Sequence, residues 1–313
     1  MSFTVVPLHN LDLPSGTRIP FGSKFVLQDV PEWLKKDTGF LNDIGRHDRT
    51  STLAANHALV SEYEAASIGD PDPEWKGQKP RGIQDLRFQS AMLASMAMWL
   101  IQPSMVCFTV GFHALTRIDG GRIVDPPIIL RSEREGPIYC HPRDQHNPVE
   151  PRHITKAAAL YGTLSTVPRK NVVWAALRAF WAALVSYTAD YRYPLFWQGL
   201  ESLFGAEDDS RGISRRLRER ISYFLADDAA TQQKLHDLVK RCYKTRSEIV
   251  HGRWEEGSEI DDRMGETEAI VRTVVRHMMD KPGMLGAFLS PKRDDFLQAW
   301  VRSKSFVPPP FPK

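Results

Sequence analysis

The chain has 313 residues, 42% of them hydrophobic and 25% charged, enough for one large or two ordinary domains, each with its own core. With 41 Lys and Arg against 38 Asp and Glu, the formal net charge of +3 is too small to argue for a nucleic-acid partner by itself, so that case rests on local charge. Cys107, Cys140 and Cys242 are odd in number, widely spaced and set in apolar or helical contexts, which reads as free thiols in a reducing compartment.

The start, MSFTVVPLHN, lacks the basic-then-apolar layout of a secretory leader, so a cytoplasmic protein is expected. The first forty residues read as irregular, with short strands at Phe3–Pro7 and Lys24–Val30 between turn formers. Ser51–Ala66 is weakly helical, and Ile68–Gly82 is a Pro/Gly-rich loop. Ile83, Leu86, Met92, Leu93, Met96, Trp99 and Leu100 mark an amphipathic helix stopped by Pro103, its methionines serving as core filler. The longest uncharged run, Phe88 to Thr116, is broken at Gln102-Pro103-Ser104 and reads as this helix followed by a strand, not as a membrane span.

Strands are then expected at Met105–His113, Arg122–Val124, Ile128–Leu130 and Gly136–Cys140, forming a small sheet on the preceding helix. The segment CHPRDQHNPVEPRH gathers Cys140, His141, His146 and His153. Its spacing matches no common zinc site, so it reads as a solvated loop with no metal. A helix from His153 to Thr163 closes an α+β first region, residues 1–167, that could sense a ligand or position a substrate.

Past Pro168 strand formers thin out and helical periodicity takes over to Asp280. The first long helix carries Val173, Ala176, Leu177, Phe180, Ala183, Leu184 and Tyr187. A second is expected to start at Pro194 and stop at Gly205, with Glu201 riding on a largely apolar surface. Ile213, Leu217, Ile221, Phe224 and Leu225 mark a third, capped by Ser210. Its outer face is expected to carry Arg211, Arg215, Arg216, Arg218 and Arg220, the one dense basic patch, open either to solvent or to RNA phosphates.

Thr231 is expected to cap the fourth helix. Its apolar stripe, Leu235, Leu238, Val239, Cys242, Tyr243, Ile249 and Val250, includes Arg246, which projects within ~20° of Leu235 and needs a carboxylate or a phosphate. Glu201 is the first candidate for that partner. His251 follows at the helix end, before Gly252. Ile270, Val271, Val274, Val275 and Met278 form a fifth helix. Residues 282–313 add a short helix at Asp294–Val301 and the Pro-rich tail FVPPPFPK.

The runs YRYPLFWQGLESLFG, RLRERISYFL and YKTRSEIVHG, at these separations, resemble the HEPN superfamily (higher eukaryote and prokaryote nucleotide-binding), in particular its ApeA-like subgroup, over about Val172 to Asp280. The resemblance implies a mainly α protein in which a HEPN-like antiparallel helical bundle, residues 168–281, pairs with a second copy. It further implies a metal-independent ribonuclease site at the dimer interface, formed by an Arg and a His with four to six residues between them, matched here by Arg246 and His251. Members of this kind serve as toxins or antiviral-defence effectors.

The chemistry of these side chains fits. Cleaving RNA without metal or cofactor needs a base for the ribose 2′-OH, suited to His251, and a cation for the phosphate oxygens, suited to Arg246. Glu201, Tyr243 and Ser247 stand as supporting residues, Ser247 in a place where family members commonly carry Asn, His or Asp. A five-residue step turns about 140° and climbs ~7.5 Å along an intact helix, so the two groups do not share a face. Either the last turn loosens, or two subunits complete each site. The alternative is a non-catalytic RNA-binding or dimerising module in which Arg246 is a structural partner of Glu201.

Overall fold

Every residue of the first strand, SFTVVPL, is buried, which marks it as the centre of a sheet and not its edge. The computed structural model describes the chain except for residues 1, 23, 64–83, 118–121, 125–126, 132–137, 146, 206–211, 255–258, 282 and 304–313. It divides into two compact units, Met1–Thr166 and Val167–Lys313. The expected loop at 68–82, the Pro-rich tail, His146, Ser210 and Arg211 lie outside the described residues.

The first unit runs β1 (Ser2–Leu8), β2 (Ile19–Phe21), β3 (Phe25–Asp29), α1 (Glu32–Lys36), α2 (Thr38–Asp43), α3 (Arg46–Ala54), β4 (His57–Tyr63), α4 (Gln84–Ile101), β5 (Val110–Thr116), β6 (Ile128–Arg131) and α5 (Pro151–Leu164). Its six-stranded sheet has the order β2-β3-β4-β1-β5-β6, antiparallel throughout. On one face Phe3, Val5, Ala58, Val60, Val110 and Phe112 pack on Leu34, Phe40, Leu41 and Ile44 of the α1–α2 segment. Ala91 to Leu100 of α4, apolar but for Ser95, are all buried, and α4 packs on α5 and β6.

Several elements of this unit differ from those expected, among them Arg122–Val124, where only an isolated bridge between Ile123 and Arg117 forms. His57–Tyr63 is strand, not helix: it is held between β1 and β3, and pairing on both sides overrides a weak helical period. The strands expected at Phe3–Pro7 and Lys24–Val30 form as β1 and β3, but the sheet is not a small one made after α4: both strands join it, and α1 and α2 form in a stretch expected to be irregular. β5 begins at Val110, five residues later than expected, because the preceding segment leaves the ladder after one bridge between His9 and Cys107. Ile138–Cys140, the described end of the expected strand at 136–140, is not strand.

The second unit is helical: α6 (Val172–Val185), α7 (Ala189–Phe204), α8 (Ile213–Leu225), α9 (Ala229–Val250), α10 (Glu259–Asp280), α11 (Met284–Leu289) and α12 (Arg293–Ser303). α6 and α7 approach so closely that a Cβ on Gly199 would lie 2.2 Å from Phe180 Cε1. An aromatic cluster of Phe204, Phe224, Phe288 and Phe296 joins α7, α8, α11 and α12 edge to face. The C-terminal helices thus belong to this unit's core, and α11 was not read from the sequence.

α7 starts at Ala189, so Pro194 sits inside it and not at its first turn. Arg192, two residues earlier and buried, donates through Nη2 to the carbonyls of Ser186 and Tyr187, tying down the α6–α7 link and fixing the start of α7 there. α9 is capped by Asp228, not Thr231: the Asp228 carboxylate accepts the Thr231 N–H at 2.9 Å, which holds its pKa below the usual carboxylate range. α8 is entered through Gly212, at φ +69. Among the described residues no helix is long and apolar enough to cross a membrane.

Candidate active site

α9 carries Arg246 in the middle of its apolar face, as its spacing requires, and α7 lies alongside. Tyr193 of α7 donates its hydroxyl to the Cys242 carbonyl at 2.8 Å, and Trp197 meets the Tyr243 ring edge to face at 5.2 Å. One turn further, Glu201 faces Arg246. Arg246 Nη2 lies 3.1 Å from Glu201 Oε1 and 3.4 Å from Oε2. The Tyr243 hydroxyl donates to Glu201 Oε1 at 3.1 Å, and the Arg246 guanidinium stands 5.6 Å from the centre of the Tyr243 ring. Burial and then the Glu201 charge push the Tyr243 phenol up to about 12.

This cluster is not sealed. The Arg246 and Glu201 side chains keep 23% and 19% of their surface in solvent. The pair is one-ended: Nη2 alone is engaged, while Nε is buried without a hydrogen-bond partner. With 23% of the side chain in solvent and Nη1 not bonded to Glu201, the terminal nitrogens and not the buried Nε retain donors for a second anion.

His251 is exposed and occupies the C-cap of α9. Its N–H reaches the Ser247 carbonyl at 3.1 Å, Gly252 N–H the Ile249 carbonyl at 3.0 Å and Arg253 N–H the Glu248 carbonyl at 2.8 Å, with Gly252 at φ +64. That is a Schellman closure of a regular helix. The last turn therefore does not loosen, and within one chain Arg246 and His251 point about 140° apart. Among the described residues no hydrogen bond joins them. Ser247 serves through its carbonyl, and it is half-buried.

The expected basic face of α8 is largely absent. Arg218 and Arg220 are buried: Arg218 Nε donates to the Ser214 carbonyl at 3.1 Å, and Arg220 Nη1 donates to the Phe204 carbonyl at 2.9 Å and pairs with Asp294 at 2.7 Å. Arg293 adds bonds to the carbonyls of Ser202 and Gly205, so two arginines cap the C-terminus of α7, where a cation suits the helix dipole. Arg216 is half-buried, and Arg215, the exposed one, pairs with Glu219 at 2.7 Å. The run of positive residues along α8 does not show this, because the packing of α8 on α7 and α12 decides which guanidinium finds a carbonyl.

Arg178, Arg215, Lys292 and Arg302 are exposed on other segments of the unit, while the helix of His251 carries exposed cations of its own, Lys234, Lys240, Arg241, Lys244 and, beyond the cap, Arg253. Their spacing on α9 could have shown them.

In the first unit a cleft of about 970 Å³ is lined by Trp33, Lys36, Asp37, Phe40, Arg122 and Ile123, among others. The expected solvated loop after Cys140 begins buried, with Cys140 and His141 at 2% and 5% exposure, and His153 closes a capping box with Glu150 at the start of α5. Among the described residues no group of three or more His, Cys, Asp or Glu could hold a metal ion, and all three cysteines are buried and unbridged.

Comparison with known protein families, with curated proteins and with solved structures finds no match.

Proposed function

We propose that the helical unit is a metal-independent endoribonuclease of HEPN type, acting as a toxin or defence effector, and that two copies of the chain complete each site. One observation carries this reading: an exposed imidazole closes the same intact helix that carries a solvent-reachable guanidinium with donors to spare. Because the two diverge in one chain, Arg246 of one copy serves with His251 of the other. Ile249, half-buried, and Val250, exposed at 49%, lie between them in sequence and supply an apolar surface for the second copy to cover.

In this reading His251 removes the 2′-OH proton and O2′ attacks the adjacent phosphorus as the P–O5′ bond breaks. Arg246 takes up the charge that builds on the phosphoryl oxygens, and the proton returns to O5′ from the imidazolium. The products are a 2′,3′-cyclic phosphate and a 5′-hydroxyl. Glu201 and Tyr243 hold the guanidinium in place.

The test is RNA cleavage in the presence of EDTA, with product ends identified by mass. Arg246→Ala and His251→Ala each abolish cleavage. Mixing the two inactive variants restores about a quarter of wild-type activity if each site takes one residue from each copy, since half of the dimers are mixed and each has one intact site. Wild-type protein that leaves varied RNA uncut ends the nuclease reading.

The Glu201–Arg246 pair favours a second reading, a non-catalytic RNA-binding or dimerising module in which Arg246 locks α9 to α7. There Arg246→Ala lowers the melting temperature and leaves no cleavage to lose.

A further inference from the structure

The nuclease reading leaves open how a polyanion would approach His251. α8 does not provide the route, since its arginines bond carbonyls and carboxylates of the protein. On α9, at about 100° per residue, Lys240 and Lys244 fall within ~20° on either side of His251, with Arg241 and Lys234 about 80° and 100° round. Lys244 lies ~10 Å, Arg241 ~15 Å and Lys240 ~16 Å back along the axis from the imidazole. All four cations are exposed, with the Lys244 side chain at 77% and Arg241 at 50%.

The acids among them bind these cations weakly. Lys244 meets Glu248 at 3.4 Å and Arg241 meets Glu266 at 3.9 Å, both in solvent, where such pairs contribute a few tenths of a kcal/mol and exchange readily for phosphate. Asp237 accepts a 2.9 Å bond from Gln233. Lys234 makes no ion pair among the described residues.

We infer that the solvent face of α9, chiefly Lys240, Arg241 and Lys244, is the backbone-binding track along which single-stranded RNA reaches His251. The occupant is a sugar-phosphate chain because Lys240 and Lys244 fall in line with His251 along one helix, with Arg241 beside them, fitting a linear polyanion whose path ends at the imidazole. The inference rests on the RNA reading but not on cleavage, and the two can be tested separately.

A fluorescein-labelled 2′-O-methyl oligonucleotide, which has no attacking hydroxyl, reports binding by anisotropy to the full chain across a salt series. Lys240→Ser, Arg241→Ser and Lys244→Ser together are expected to weaken binding tenfold or more at low salt. The slope of log affinity against log salt falls by about 2, at ~0.7 for each lost phosphate contact on a single strand. Lys240→Arg with Lys244→Arg keeps wild-type binding, and Arg215→Ser on α8 changes it less than twofold. All these side chains are exposed, and melting curves confirm that the variants are folded. Triple-variant binding with unchanged affinity and slope overturns the inference, as does an equal loss from Arg215→Ser or a wild-type protein that does not bind the oligonucleotide. Wild-type protein that binds through α9 yet cuts no RNA ends the nuclease reading and leaves the track standing.

Discussion

Glu201 holds two donors at once, the Tyr243 hydroxyl and the Arg246 guanidinium, and the three side chains form one electrostatic unit on the α7–α9 seam. Removing the hydroxyl in Tyr243→Phe leaves the ring against Trp197 and the guanidinium in place, so the expected loss is about 1 kcal/mol in a denaturant titration near neutral pH. The difference depends on pH with a definite sign. The folded phenol titrates near 12, above the usual value for tyrosine, so its contribution is complete below pH 10 and fades as pH rises toward 12. Tyr243→Phe has no phenol to ionise, so the wild type is expected to lose its advantage and fall below the variant as pH rises toward 12, and a constant gap would show that burial and the Glu201 charge do not hold the phenol neutral. The presence of a charged partner for Arg246 was legible from one residue in an apolar stripe. The identity of the remaining donors was not, because sequence spacing does not say which nitrogen meets a carboxylate.

The elements differ in how openly their limits were written. α9 closes where His251 and Gly252 said it would, since a glycine just past an apolar period adopts the positive φ that a Schellman closure needs. α7 does not begin at Pro194, because bonds from Arg192 to the carbonyls of the α6–α7 link outweigh the preference of proline for a first turn. α7 also depends on Gly199, where the Phe180 ring takes the place of a side chain. Gly199→Ala gains helix propensity but forces α6 and α7 apart, and the expected result is a net loss of about 1–3 kcal/mol, read as a lower melting temperature. A stabilised Gly199→Ala protein would mean that the ring moves aside freely. The strand at His57–Tyr63 makes the same point from the first unit: its residues are neutral between helix and strand, and two flanking strands decide.

At the scale of the whole molecule, a sheet-and-helix unit precedes a helical one, and both candidate functional surfaces lie on the second. A dimer built over Ile249 and Val250 would bring Arg246 of one copy to His251 of the other. Val250→Asp, which places a charge on an exposed position and leaves the fold intact, is then expected to give a monomer in sedimentation velocity and to lose cleavage together with dimerisation. A Val250→Asp protein that stays dimeric would move the interface elsewhere.

The sequence by itself determined the kind of chain this is: an α+β region followed by helices, the stripe that buries α9, the charge placed within that stripe, and the histidine and glycine at its end. These follow from periods of two and 3.6 residues and from the local demands of helix ends, which neighbouring residues settle among themselves. Only the tertiary structure decided that β1 lies at the centre of a six-stranded sheet and that Arg218 and Arg220 turn inward. Sheet order and the fate of a long cationic side chain depend on which distant carbonyl or carboxylate comes within about 3 Å, and that distance is fixed by packing between elements far apart in the chain.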